Sequence, residues 1–365
     1  MVTETMKKKV VMLSTSDKGG IRSVVEGYLA DGFFFRWNVV LLNSHVSGAF
    51  TMRLAMAWKA LLRLIGLLLT RRVSLVHCHS AMKRSFWRKS MFALISRLAA
   101  VPVVFHLHGS EMKEFVDEHS ALVQSLISWI LAKQSVIIVL SESWLRYVKS
   151  ISPGANVKII PNYVVMPEPS FINDYRDNEM EILFLGYVGK RKGVYDLLPA
   201  FKDALAQIPT LRLVIGGNGE VDRAQALTKE LNIEEHVVFA GWVSGDEKID
   251  LLRRAYIYVL PSYNENLPVS ILEAMSWQIP IISTRVGGIP EMVREGIDGL
   301  LIDAGDRPAL SSAIIDLTRS VHLRKKMGIA AREQVERHFS KHVVLPRLEN
   351  LYRTLIFTDV TRQDY

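Results

Sequence analysis

The chain has 365 residues, 49% of them hydrophobic, and 45 Lys plus Arg against 37 Asp plus Glu, a formal charge of +8. Such a length favours two domains, and the apolar content excludes a disordered chain. The single cysteine, Cys78, excludes a disulfide framework and a cysteine-rich zinc module, and it fits a reducing cytosol.

Met1–Lys9 is polar and basic. The apolar run Val10–Leu13 is too short for a signal-peptide core or a membrane helix. Lys9–Ser14 reads as a buried strand ending in Asp17-Lys18-Gly19-Gly20, with a helical stretch Ile21–Leu29 behind it. Gly19 and Gly20 let backbone amides approach a ligand, and the helix N-terminus favours an anion; a tight turn would use the same residues. Val39–Leu42 is the next strand. Thr51–Arg72 is apolar but contains Arg53, Lys59 and Arg63, which argues against a spanning helix. At 100° per residue, Arg53, Lys59, Arg63, Thr70 and Arg71 fall within about 120° of a helical wheel. That suits a basic amphipathic helix on a membrane surface, or a wide core-facing stripe with a solvated edge.

Val73–His77, Val101–Leu107 and Val136–Leu140 are further strands. The spacing of His77 and His79 allows a metal pair, but no carboxylate partner is evident, so no metal site is expected. Lys83, Arg84, Arg88 and Lys89 form a basic cluster after a strand-end loop. Arg84 and Arg88 are candidates to hold an anionic acceptor. In Phe105-His106-Leu107-His108-Gly109, strand alternation puts His106 and His108 on one face. His108, beside a glycine at a strand end, can donate to a hydroxyl, although single histidines are more often structural.

Charge is uneven. Residues 1–170 carry 21 basic and 10 acidic residues, or +11, and residues 171–365 carry 24 and 27, or −3. The first half should face something anionic: nucleic acid, an anionic membrane or a phosphorylated substrate. A solubilising bias is the plainer alternative. No aromatic-basic platform or known module supports nucleic acid.

Met166–Met180, with Pro167, Pro169, Asn173, Asp174, Asp177 and Asn178, reads as a linker. Strand-like runs then resume at Ile182–Leu185, Leu211–Ile215, Val237–Phe239, Ile257–Leu260, Ile279–Ser283 and Leu300–Ile302. Short apolar strands alternating with helical segments imply parallel βαβ units. The expected division is a first domain over 1–168, a linker over 169–180, a second domain over 181–340, and a helical segment over 341–365 packing back on the first domain.

In the second half, Gly186-Tyr187-Val188-Gly189-Lys190-Arg191-Lys192-Gly193 follows a strand. Three cations between glycines suit a diphosphate, though a solvated basic loop has the same composition. Gly217-Asn218-Gly219 is followed by Asp222 where a dinucleotide fingerprint needs its third glycine. No P-loop, Asp-x-Asp or His-Glu-x-x-His occurs. Phosphate is therefore expected to be held by amides and cations rather than by magnesium, with no cofactor. Glu265 and Glu273 flank Asn266-Leu267-Pro268-Val269. Each carboxylate can accept two hydroxyl bonds, which fits a sugar and a ribose, and the amides from Asn266 onward would face phosphate or sugar oxygens. The same acids would be ordinary at a helix N-terminus.

Taken in order, these residues resemble the retaining nucleotide-sugar glycosyltransferases of GT-B family 4. The likeness runs from Gly19-Gly20 to about Leu351 and is most specific at Pro261–Met275, with its Glu-x7-Glu spacing. Pro161-Asn162, Gly241-Trp242-Val243 and Gly287-Gly288-Ile289-Pro290-Glu291 add to it. The resemblance implies an α/β fold of two doubly wound, Rossmann-like domains facing a cleft. It implies that Glu265 contacts the donor sugar, Glu273 the ribose, and Lys192 the diphosphate. The base would lie near Val243, His108 near the reacting sugar carbon, and Gly19 and Gly20 near the phosphates. Asn266 and Leu267 belong to the same donor loop. Family members often carry Arg where this chain has Tyr187, so either Lys190 or Arg191 replaces that charge or the diphosphate is held less strongly. The expected activity is metal-independent, retaining transfer of a hexose from a UDP- or GDP-sugar to a glycan or lipid-diphosphate-linked acceptor. The setting would be polysaccharide or glycolipid assembly, in a cytoplasmic enzyme peripheral to the inner face of the membrane. The alternatives are an epimerase or phosphorylase, and a sugar-nucleotide-binding protein without transfer.

Overall fold

A computed structural model of the protein describes residues 8–17, 19–172 and 180–358. The chain up to Asn162, with the segment from Val344 onward, forms one compact unit, and Tyr163–Val343 forms the other. Residues 163–167 are tied to the second unit: Val164 pairs with Ser340, and Arg332 donates to the Pro167 carbonyl at 2.9 Å. The first division therefore falls at Asn162 rather than at 168. Asn173, Asp174, Asp177 and Asn178 of the expected linker lie outside the described residues.

The first unit holds a six-stranded sheet of β1 (Lys9–Ser14), β2 (Val39–Asn43), β3 (Val73–Ser80), β4 (Val103–Leu107), β5 (Val136–Val139) and β6 (Val157–Ile159). Its order is β2-β1-β3-β4-β5-β6 and every pairing is parallel. A parallel sheet is covered on both faces, so its central strands can be apolar on both sides. Val10 to Leu13 and Val103 to Phe105 are buried at 1% exposure or less. β6 is a short strand with no counterpart among the runs expected from sequence. β3 runs three residues beyond its expected end at His77, carrying His79 and Ser80 into the sheet.

The helix Phe50–Leu69 lies against this sheet through Ala60, Leu61, Leu64 and Leu68. Its opposite side leaves Phe50, Leu54, Trp58 and Leu62, at successive i+4 positions, between 46% and 69% exposed. Thr70 caps the helix and Arg71 adopts φ 52°, so Arg71 leaves the helical wheel on which its spacing placed it. The C-terminal helix Lys341–Thr358 supplies Tyr352, fully buried against Phe33 and Trp37 of the first unit.

The second unit holds β7 (Met180–Leu185), β8 (Leu211–Gly216), β9 (Val237–Gly241), β10 (Ile257–Leu260), β11 (Ile281–Thr284) and β12 (Gly299–Ile302). Its order is β12-β11-β10-β7-β8-β9, again all parallel. Both sheets thus reverse strand order once: between β1 and β3 in the first, and between β7 and β10 in the second. Ligands of open α/β sheets bind beyond the carboxyl ends of the strands at such reversals.

Candidate functional site

At the reversal of the second sheet, the loops after β7 and β10 meet. After β7, Lys190–Lys192 form a short 3-10 turn, and Gly193 turns left-handed at φ 74° before the helix Val194–Leu205. A Cβ at Gly193 would sit 2.0 Å from the Pro261 carbonyl oxygen, so only glycine lets the two loops touch. Tyr263 N donates to the Arg191 carbonyl at 2.9 Å and Arg191 returns a bond to the Asn264 carbonyl at 3.2 Å.

This contact sets the central feature. Lys192 Nζ donates to Glu265 Oε1, and Ser262 Oγ donates to the same oxygen at 2.8 Å. The side chains of Lys192 and Glu265 are only 12% and 7% exposed. Of the three consecutive cations, Lys192 alone turns inward, while Lys190 and Arg191 are exposed. A third loop holds Glu265 from behind: Gly288 N donates to the Asn266 carbonyl at 2.8 Å, and Gly287, at φ 56°, approaches so closely that a Cβ would lie 1.8 Å from the Glu265 carbonyl oxygen.

The helix Val269–Ser276 starts directly after Pro268, and Glu273 sits one turn in. Its carboxylate accepts from Lys248 Nζ at 2.6 Å. The structure therefore gives each acid of the Glu-x7-Glu pair its own lysine. The loop after β8 backs the β7 loop. Val188 N donates to the Asn218 carbonyl at 2.8 Å, and a Cβ on Gly217 would strike the Gly186 carbonyl oxygen at 1.7 Å. Tyr187 is 47% exposed, and its ring lies where a Cβ on Gly189 or Gly219 would be. Val243 is buried beneath the end of β8, against Gly216.

Three residues of this corner were not expected from sequence: Ser262, Lys248 and Asp196, whose carboxylate accepts from Tyr263 OH at 2.8 Å and Arg307 Nε at 2.9 Å. Ser262 follows a strand end three residues before Glu265, which was the available signal. Lys248 and Arg307 come from other helices and left none.

In the first unit, four histidines gather at the ends of β3 and β4. His77 Nδ1 lies 2.5 Å from Tyr352 OH, and its Nε2 lies 3.2 Å from His106 Nδ1. His79 Nδ1 lies 2.8 Å from His108 Nε2. Burial holds His77 and His108 down to about 3, with the neighbouring His108 adding to the effect at His77. Burial also puts His79 and His106 well below the usual histidine range. All four are neutral at pH 7, so each can donate from one nitrogen and accept at the other. Nitrogens of His77, His79 and His106 come within 4.8 Å of one another, which extends the pair considered from spacing. His77 uses both ring nitrogens in hydrogen bonds, to Tyr352 and to His106, so a metal ligated by it would replace one of them.

Gly19 adopts φ 149° and Gly20 opens the helix Gly20–Ala30 beyond β1. Arg84 and Arg88 lie one turn apart on the helix Arg84–Leu98, Arg84 exposed and Arg88 half-buried. Lys89, grouped by sequence with the surface cluster, points inward instead: it is 1% exposed and donates to the Ser14 carbonyl at 2.9 Å.

Residues 166–334 match the family described as Glycosyl transferases group 1, and residues 15–163 match the Glycosyl transferase 4-like domain. The chain belongs to the group 1 glycosyltransferases. The two matches meet between the two units and leave out only the chain ends and residues 164–165. Among its relatives, this glycosyltransferase is 27% identical over 273 residues to N-acetyl-alpha-D-glucosaminyl L-malate synthase of Bacillus anthracis, covering 72% of this chain and 69% of that one. Its fold matches sucrose-phosphate synthase from Thermosynechococcus elongatus with a TM-score of 0.76 at 19% identity, over 96% of this chain and 100% of the other. The Anabaena protein HepE in complex with UDP matches with a TM-score of 0.74 at 16% identity, over 95% and 99%. The glycosyltransferase has the two-domain α/β architecture called GT-B. Among its described residues, no helix is long and apolar enough to cross a membrane.

Proposed function

We propose that this glycosyltransferase moves a hexose, with retention at the anomeric carbon and without a divalent metal, from a UDP- or GDP-sugar to a phosphorylated, lipid-linked glycan acceptor. The observation that carries the reading is the buried Glu265 carboxylate at the reversal of the second sheet, held by Ser262 and Lys192. A carboxylate fixed this way keeps lone pairs for two sugar hydroxyls. Lys192 and the exposed Lys190 and Arg191 supply positive charge in the same loop for a departing nucleoside diphosphate. Stabilising that developing charge does most to lower the barrier of such a transfer. Glu273, presented one turn into its helix, is assigned to the ribose hydroxyls, and Val243 to the face of the base. The glycosidic C–O bond to the diphosphate breaks as an acceptor hydroxyl attacks the same face, and the acceptor proton passes to the leaving phosphate oxygen. The bound UDP of HepE, whose fold this chain shares, supports a nucleotide-linked donor.

Membrane attachment is assigned to the helix Phe50–Leu69. Its unpartnered stripe of Phe50, Leu54, Trp58 and Leu62 is edged by the exposed cations Lys59 and Arg63, a pattern that suits anionic lipid.

The test is transfer from a panel of UDP- and GDP-sugars to lipid extract, with and without EDTA. Glu265→Ala abolishes transfer if the assignment holds; an active variant contradicts it. Donor binding by the native protein without any transfer would instead support a sugar-nucleotide-binding protein.

A further inference from the structure

We propose that the first unit carries a built anion site, formed by Arg53, Arg88 and Lys89 around His45, and that it takes a phosphate group of the acceptor. The inference rests on the reading of the first unit as acceptor-binding and names the residues and the chemistry.

The site lies at the carboxyl end of the first sheet. Ser14 ends β1, and His45 follows β2 in a loop laced to the loop after β1: Ser16 N and Ser16 Oγ both donate to the His45 carbonyl, at 3.1 and 2.9 Å. The helix Phe50–Leu69 brings Arg53 to this corner and the helix Arg84–Leu98, which it contacts, brings Arg88 and Lys89. All three cations act on the His45 imidazole. Burial first, then Arg88, and more weakly Arg53 and Lys89, hold it below its usual range, while Asp17 opposes them.

Negative charge is scarce here. Among the described residues, Asp17 is the carboxylate that faces His45, and it is engaged: Oδ2 lies 3.2 Å from His45 Nε2, and Oδ1 accepts from Ser47 N at 2.6 Å. Among the described residues, no carboxylate lies within ion-pair distance of Arg53, Arg88 or Lys89. The buried Nε–H groups of Arg53 and Arg88 have, among the described residues, no hydrogen-bond partner. Lys89 has, among the described residues, only the Ser14 carbonyl for its three protons, and burial drops its ammonium to about 7. Cys78 gives no charge, because burial raises its thiol to about 12.

Lys89 is buried, Arg53 and Arg88 are half-buried with a buried Nε–H each, and Asp17 is the one carboxylate among the described residues that attracts Arg88. A buried N–H without an acceptor costs about 1–3 kcal/mol, and a buried ammonium without a counter-ion costs more. Three cations facing one engaged carboxylate, with two such N–H groups, therefore suit a multivalent oxyanion. A purely structural role accounts for Lys89, which ties down the end of β1, but not for two arginines with unused donors. The phosphate could belong to a lipid diphosphate or to a soluble sugar phosphate. Both present the same oxygens to the site.

Direct binding tests this without any transfer reaction. Geranyl diphosphate and glucose 1-phosphate are titrated by calorimetry into the full-length Glu265→Ala protein at low salt. Binding of the first alone identifies a lipid diphosphate, and of the second alone a soluble phosphate ester. Binding of either is lost at least tenfold in Arg53→Gln and in Arg88→Gln and kept in Lys192→Ala, whose substitution lies in the donor loop. Near pH 8 the binding takes up a proton, seen as a heat that changes with buffer ionisation enthalpy, and Lys89→Met removes that uptake. No binding of either probe, or binding unchanged in both arginine variants that retain the native circular dichroism, overturns the proposal. Because the protein titrated cannot transfer, failure here leaves the donor-side reading standing, and failure of transfer leaves this site standing.

Discussion

Lys192 and Glu265, 73 positions apart, form a nearly buried ion pair that joins the loops after β7 and β10. Removing one partner of such a pair strands the other charge, at a cost of about 3–5 kcal/mol. Lys192→Met is therefore expected to lower the urea midpoint of the second unit more than Glu265→Gln, which leaves a neutral amide able to accept from Ser262. Both lose transfer. Midpoints of both variants equal to that of the native protein would show that the pair contributes to chemistry alone.

A pair of glycines separates backbone strain from loop contact. Gly287→Ala meets both a positive φ and a Cβ position 1.8 Å from the Glu265 carbonyl oxygen. Gly296→Ala meets only the positive φ, 71°, with open space around it. The second should cost about 1–2 kcal/mol and keep its activity. The first should displace Glu265 and raise the KM for the donor at least tenfold. A normal KM in Gly287→Ala would remove Glu265 from the donor site.

The histidine cluster sets an acid limit. His77 and His108 bind protons at about 3 in the folded chain, and unfolded histidine does so near 6.5. Depressed values mean that the stabilisation is complete above about 6.5 and is lost as pH falls toward 3. Below about pH 6 each such group costs about 1.4 kcal/mol per pH unit. Stability measured by urea at pH 7.5, 6.5, 5.5 and 5.0 should fall with increasing slope, and His77→Phe should flatten it. A level profile over that range contradicts neutral, buried histidines.

On the helix Phe50–Leu69, Trp58 and Leu62 are 54% and 64% exposed, so replacing both with Ser leaves the fold intact. Burying such side chains contributes about 1.5–3 kcal/mol each. Sedimentation with vesicles of one part anionic to three parts zwitterionic lipid should weaken by at least tenfold in the double variant. Native protein that stays in the supernatant at low salt excludes this helix as an anchor.

Much of the fold was legible from the residues, and the exceptions share a cause. Runs such as Lys9–Ser14 and Ile257–Leu260 read as strands because apolar, β-branched residues on both faces fit a covered parallel sheet. β3 read short because Cys78, His79 and Ser80 do not look like a strand; pairing with β1 extends it through Cys78, and pairing with β4 through Ser80. Lys89 reads as solvated because hydropathy assigns lysine to water; which side of Arg84–Leu98 faces Ser14 is decided by packing. The helix Phe50–Leu69 shows the converse. Its period is visible, but periodicity does not say which apolar face docks, and here only part of it does. The Glu-x7-Glu pair was legible as a spacing, whereas its lysines came from elements whose positions only the fold supplies.

Tyr352 reaches His77 from the far end of the chain, and the first unit resumes at Val344 after the whole of the second has intervened. During synthesis the order of completion therefore inverts the order of sequence. The second unit is fully translated while the first still lacks its closing helix, and the hydroxyl that seats His77 arrives only after both sheets have been made. A fragment ending at Asn162 would expose Phe33 and Trp37 where Tyr352 should cover them, so the first unit can be made alone only with its C-terminal helix supplied in trans or by a short splice.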